Sequence, residues 1–238
     1  MSQNGLPYAD TQSMYVIHIL FRREFGLLPD LVQSVPHEDT AHAKVVADHL
    51  TFVNNLLVHH HEVEDEVLWP LLLARAPKET DPVVHLAEGH HQRIDTLLSL
   101  VEARLAAWAD RASRDDGEAL SLALRELAVI LFEHMDLEEQ LILPLVERHV
   151  FATEWLQMEG RAIGMIESQD VPLVFGMALY ESGADIIPEP MRDEMLAVAE
   201  QAYADYAERV HGTRTPPRAK DLVFGAPSVG VPARAGQH

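Results

Sequence analysis

Two stretches of this 238-residue chain repeat each other, and the repeat restricts the fold more than any other feature. His60-His61-Glu62-Val63-Glu64-Asp65 runs on to Trp69-Pro70. His134-Met135-Asp136-Leu137-Glu138-Glu139 runs on to Leu143-Pro144. Superposing them pairs His60 with His134, Glu64 with Glu138, Asp65 with Glu139 and Pro70 with Pro144. Val53, Leu57, Val67 and Leu71 fall on Leu127, Leu131, Leu141 and Leu145. A spacing of four residues sets each His over its Glu on one helix face. The apolar flanks step by three and four on that face, so both pairs point at a core. A buried ionised carboxylate without a partner costs several kcal/mol. A metal ion removes that cost, because carboxylates and neutral imidazoles are its ligands. Its binding free energy, about 10–16 kcal/mol in zinc peptides, also stabilises the fold.

The rest of the chain supplies the other walls of such a core. Residues 11–28 predict a first helix, from Met14 to about Phe25, with His18 on the face of Met14, Phe21 and Phe25; Gly26 and Pro29 end it. Asp39 or Thr40 caps a second, from about Ala41 to Ala74, in which Pro70 kinks or ends the last turn. Asp81-Pro82 opens a third, from about Val83 to Ala109, with His91 in register with Ile94, Leu98 and Val101. The fourth runs from about Glu118 to Arg148. The expected fold is all-α: an antiparallel up-down four-helix bundle over residues 11–150 with a C-terminal helical extension. A lone His on helix one, a pair on two, a lone His on three and a pair on four read as a two-helix unit used twice, with a pseudo-twofold axis through the site.

Beyond residue 150 the pattern changes. Residues 151–212 predict helices around Trp155, around Phe175 to Tyr180 and from Met191 to Val210, packing on the bundle, with a proline-punctuated link from Ile186 to Pro190. Residues 213–238, with Pro216, Pro217, Pro227 and Pro232 and four basic residues against Asp221, predict a disordered tail.

Six residues face the predicted core: His18, His60, Glu64, His91, His134 and Glu138. Two metals can share the two Glu as bridges, each keeping two His as terminal ligands. First-row metals want five or six donors. That leaves room for a bridging oxide or hydroxide and for an exogenous small molecule. Two iron ions suit this field best; manganese is tolerated, and zinc would be redox-silent. Arg22, Asp95, His90, His61 and Glu139 are placed to support the ligands from behind. His59 and His61 flank His60 and read as solvated or supporting. His42, His49 and His85 read as surface residues, and Tyr203 and Tyr206 as packing.

With His18, the two HisxxxGlu pairs each running on to proline, and His91, residues 11–150 resemble the hemerythrin-like, HHE cation-binding domain. The resemblance implies a non-heme di-iron centre in an up-down bundle. It places the chain in a family that handles dioxygen, nitric oxide or peroxide, or senses iron and oxygen. A peroxidase- or catalase-like oxidoreductase is the enzymatic version. The oxygen carriers of that family have a second His four residues after the one on helix three, where this chain has Asp95, and a spacing of five between the last His and its carboxylate, where Glu138 stands at four and Glu139 at five. These departures point away from reversible oxygen storage.

Composition narrows the alternatives. A formal net charge of −20 argues against a nucleic-acid partner. The absence of Cys excludes disulfides, thiolate zinc sites and iron–sulfur clusters. No uncharged apolar run approaches membrane-spanning length, and Met1 to Asp10 lacks the pattern of a signal peptide, so no membrane partner and a cytoplasmic location are expected. The fourteen His, twelve of them before residue 150, fit metal chemistry.

Overall fold

A computed structural model describes residues 5–183 and 189–222, with backbone only for 189–195. Among the described residues all regular structure is helical, apart from one isolated bridge between Tyr8 and Phe151. The chain runs through α1 (Gln12–Ser34), α2 (Thr40–Val63), a π-helical turn (Glu64–Leu68), α3 (Trp69–Arg75), α4 (Pro77–Ala109) and α5 (Arg114–Leu137). A second π-helical turn (Glu138–Ile142), α6 (Leu143–His149), α7 (Ala152–Gly164), α8 (Val171–Ser182) and α9 (Glu189–His211) follow. Helix α1 packs on α2 and α5, and α4 packs on α2 and α5. The result is a helical bundle.

Local chemistry explains most of the boundaries. The Asp39 carboxylate accepts from the His42 amide at 3.0 Å and caps α2. The Ser113 hydroxyl does the same for Asp116 at the start of α5. Three prolines act differently from expectation. Helix α1 does not stop at Gly26 or Pro29 but continues to Ser34. Val32, beyond the proline, is buried in the core, as is Leu28 just before it, and that packing outweighs the one hydrogen bond a proline forfeits. Pro82 lies inside α4, whose first turn starts instead at Pro77, after a sharp change of direction at Ala76. Pro70 does not end its helix either. The π-helical turn before it closes a hydrogen bond from the Trp69 amide to the Glu64 carbonyl, and α3 carries the proline in its first turn, where no amide is needed. The same device recurs at Pro144, with Leu143 donating to Glu138.

Each π turn inserts one residue into the helical register, and burial follows. Val67 and Leu141, aligned with the core by α-helical spacing, are displaced outward, Leu141 to 47% exposure. Leu68 and Ile142 take their places, both buried.

The core is divided in two. One apolar cluster holds Leu20, Phe21, Phe25, Leu57, Ile94 and Leu131; the other holds Met14, Val63, Leu68, Ala87, Ile142 and Val146. Along each long helix the changeover between clusters falls at a predicted ligand: His18 between Met14 and Phe21, His60 between Leu57 and Val63, His91 between Ala87 and Ile94, and His134 and Glu138 between Leu131 and Ile142. The candidate centre is thus a polar layer through the middle of the bundle.

The extension packs on this body. Helix α8 lies on α1 and α9, and α9 also meets α2. Gly176 permits the α8–α9 approach, since a Cβ there would sit 2.1 Å from the Ala199 carbonyl oxygen. Residues 213–222, the start of the expected tail, lie against α8: the Tyr180 hydroxyl donates to the Pro216 carbonyl at 2.6 Å, and the Ala219 amide donates to Glu181. Ile186 to Pro188 of the expected link and residues 223–238 of the expected tail lie outside the described residues.

Candidate metal centre

Glu64 and Glu138 occupy the first residue of each π turn, one helical turn past His60 and His134. The two Glu oxygens stand between histidines from different helices. Glu64 Oε1 lies 3.3 Å from His60 Nε2, and its Oε2 lies 3.5 Å from His91 Nε2. Glu138 Oε2 lies 3.3 Å from His18 Nε2 and 3.4 Å from His134 Nε2. None of these carboxylate oxygens has a hydrogen-bond partner, although all are buried. Nε2 of His91 and of His134 face each other at 3.2 Å. The carboxylate oxygens converge on the imidazoles unsatisfied and shielded from water, an arrangement that could hold a cation.

The donors form two groups, each within 4.8 Å: His61, Glu64, His91 and His134; and His18, His60, Glu64 and Glu138. Glu64 belongs to both. All six predicted ligands are brought together, and a seventh residue joins them. His61, expected beside the site, is buried, its ring stacked on His91 at 4.1 Å and edge-on to His134, with neither nitrogen hydrogen-bonded.

Carboxylates fix the ligands from behind. His18 Nδ1 meets Glu139 Oε1 at 2.9 Å, and His91 Nδ1 meets Asp65 Oδ1 at 2.8 Å. These acceptors hold the ring protons on Nδ1 and leave both Nε2 lone pairs for a metal. Glu139 is anchored by Arg22 at 2.6 Å, and Asp65 by the Trp69 indole at 2.9 Å. The two halves therefore match down to the residue after Glu64 and after Glu138. Asp65 had no place in the expected site, although its alignment with Glu139 carried the signal. Arg22 pairs with Glu139 and Asp136, whereas Asp95 is exposed. His90 is half-buried, 5.9 Å from the His134 ring, and belongs to neither donor group.

The hemerythrin HHE cation-binding domain model matches residues 10–146. The chain belongs to this family. No curated protein and no solved structure matches it. The match spans the helices that supply the six predicted ligands, and the His/Glu cluster of this hemerythrin-like domain is one that could hold metal.

Without metal, protons take the cation's place in the domain. Burial opposes charge on His18, but Glu138 and Glu139 outweigh it and raise its pKa to about 9. Burial likewise opposes charge on His91, and Asp65 and Glu64 raise it to about 10. Burial, then the charge of neighbouring histidines, pushes His60 and His134 down to about 3 and holds His61 well below its ordinary value. The stabilisation from His18 and His91 is complete below the unfolded value of about 6.5 and is lost as pH rises through about 9 to 10. That from His60, His134 and His61 is present above about 6.5 and is lost as pH falls towards about 3. Metal-free protein is therefore expected to be most stable near neutrality, and metal to flatten the alkaline limb by displacing the two protons. Denaturant unfolding from pH 5 to 11 with and without chelator checks this; an alkaline limb that ignores metal would contradict it.

Among the described residues a third donor group, Glu24, His49 and His211, lies apart from this centre. His49 is not on the surface, as its sequence context suggests, but buried.

Proposed function

We propose that the centre holds two iron ions and that the protein binds or reduces a small oxidant: dioxygen, nitric oxide or peroxide. The observation that carries the reading is the pair of orphaned, buried carboxylates, each standing between histidines of two helices. Iron supplies one-electron redox change at two neighbouring ions, which zinc cannot. Glu64 and Glu138 hold the pair together, with His18 and His60 on one side and His91 and His134 on the other. His61 offers that second side a third imidazole, where the oxygen carriers' pattern would place one at position 95. Glu139 and Asp65 keep His18 and His91 in the ligating tautomer, and Arg22 keeps Glu139 ionised and in place. The apolar clusters above and below exclude water. His60, the most exposed of the six ligands, is still only 13% exposed, which favours a ligand of two or three atoms over an organic substrate. The alternating order of the two clusters along α1, α2, α4 and α5 supports the antiparallel up-down arrangement that such a centre uses. No helix among the described residues is long and apolar enough to cross a membrane, and a cytoplasmic setting is part of this reading.

The test is elemental analysis of protein produced with added iron, together with its visible spectrum. About two irons per chain and an absorption that changes on adding peroxide or nitric oxide are expected for a dinuclear centre. Zinc without iron, or scattered sub-stoichiometric iron, would overturn it.

A second reading is a sensor in which iron or redox state is reported to a partner through residues 151–238. It is favoured by the ion pair of Arg161, on α7, with Glu66 inside the first π turn. Cleavage of α7 to α9 by a protease at the same rate in all metal and redox states would count against it.

A further inference from the structure

We propose that Glu24, His49 and His211 form a second metal site, taking one zinc-like divalent cation and fastening helix α9 to α1 and α2. Glu24 lies on α1, His49 on α2 and His211 at the end of α9, so no local sequence pattern unites them. Their donor atoms all lie within 4.8 Å of one another. Glu24 Oε2 stands 3.3 Å from His49 Nε2 and 4.0 Å from His211 Nε2. Donors bonded at about 2.0–2.2 Å around a tetrahedral cation sit about 3.3–3.5 Å apart, so a small closure completes the geometry.

The chemistry of the three side chains requires something between them. Glu24 and His49 are buried, yet Glu24 Oε2 and His49 Nε2 have no hydrogen-bond partner. The far side of each is held. Glu24 Oε1 accepts from Arg23 Nε at 2.9 Å, and His49 Nδ1 lies 2.9 Å from the Tyr206 hydroxyl. Ligands fixed from behind with their free atoms converging are the mark of a metal site. The charge balance agrees. Arg23 is shared between Glu24 and Glu181, so it neutralises neither alone, and a divalent cation or a proton on His49, 3.3 Å from Glu24, would complete the balance. Two imidazoles and one carboxylate, with no thiolate in the chain, suit zinc and leave a position for water. A cavity of about 320 Å³ lined by Asp48, His49, Tyr206 and Arg209 lies on the His49 side of the cluster.

The site shares no residue with the dinuclear centre, so the two can be emptied separately. Full-length metal-free protein is loaded with Zn²⁺, desalted and analysed, alongside Glu64→Ala, His211→Gln and His49→Gln, with folding checked by circular dichroism. One tightly held zinc is expected to persist in Glu64→Ala and to fall to near zero in the site in either His variant. Zinc should also slow proteolysis of α9 in wild type and not in His211→Gln. Co²⁺ in the same site should give the intense visible bands of a tetrahedral ion. Equal zinc in wild type and a folded His variant, or no zinc held by Glu64→Ala, would overturn the proposal and leave the cluster as a proton-balanced network.

Discussion

Replacing Glu64 by alanine is expected to empty the proposed dinuclear centre, taking the iron content of protein grown with iron from about two ions per chain to well under one. Glu64 is the only residue common to both donor groups, and its two oxygens face histidines on different helices. Losing it removes a donor from each ion at once and unties α2 from α4 at the level of the layer. The loss of any oxidant chemistry follows from the loss of metal. Thermal unfolding gives a second signature. Chelation should lower the midpoint of wild type by many degrees, because binding free energy is folding free energy here. The shift in Glu64→Ala should shrink to whatever the separate Glu24, His49 and His211 site contributes, and iron-loaded Glu64→Ala lacking zinc should not shift at all. Asp95→Ala is the control: the residue is exposed, and metal content and midpoint should match wild type. Wild-type stoichiometry in Glu64→Ala would remove that residue from its bridging place.

Arg23→Ala is expected to cost about 3–5 kcal/mol, the loss that follows when one partner of a buried ion pair is deleted. The guanidinium is fully buried, bonded to Glu24 and, at 3.1 Å, to Glu181. It also lies 4.9 Å from the centre of the Tyr203 ring and 5.4 Å from that of Tyr180. Deleting it leaves Glu24 and Glu181 without the buried cation they share and a hole between two aromatic rings. Because Glu181 sits on α8 and Tyr203 on α9, the damage should appear first as release of the extension from α1. Denaturant midpoints measure the cost, and hydrogen exchange in α8 and α9 locates it. Arg125→Ala, which breaks the exposed pair with Asp30, should cost under about 1 kcal/mol. A similarly small cost for Arg23→Ala would mean that Glu24 and Glu181 are balanced by something other than this residue.

Much of the donor cluster was legible because its members obey helical spacing. His18, His60, Glu64, His91, His134 and Glu138 all lie in register with apolar neighbours, and burial keeps them there. What escaped the sequence has two physical causes. The first is the π turn, which shifts the register by one residue. A period of 3.6 predicts that Val67 and Leu141 face inward; the inserted residue brings in Leu68 and Ile142 instead. Asp65, inside the first turn and behind His91, also went unread, although it aligns with Glu139 behind His18. The second cause is distance along the chain. His49 looks like a surface residue until Glu24 and His211 are brought to it by packing. Pro29 shows the limit of local rules from the other side: the helix passes it because Val32, one turn on, has a core to enter.

The polar layer that splits the core also settles how the helices align along their length. Apolar side chains alone would let one helix slide past its neighbours by a turn at modest loss, since one leucine fits much as another does. Here such a slip would bring a histidine against the apolar half and strand Glu64 or Glu138 without its imidazoles. Each long helix carries one polar rung, and the rungs can meet at a single height only. The centre thus sets the vertical alignment of the bundle before any metal arrives, in the way a single buried polar residue fixes the register of a coiled coil.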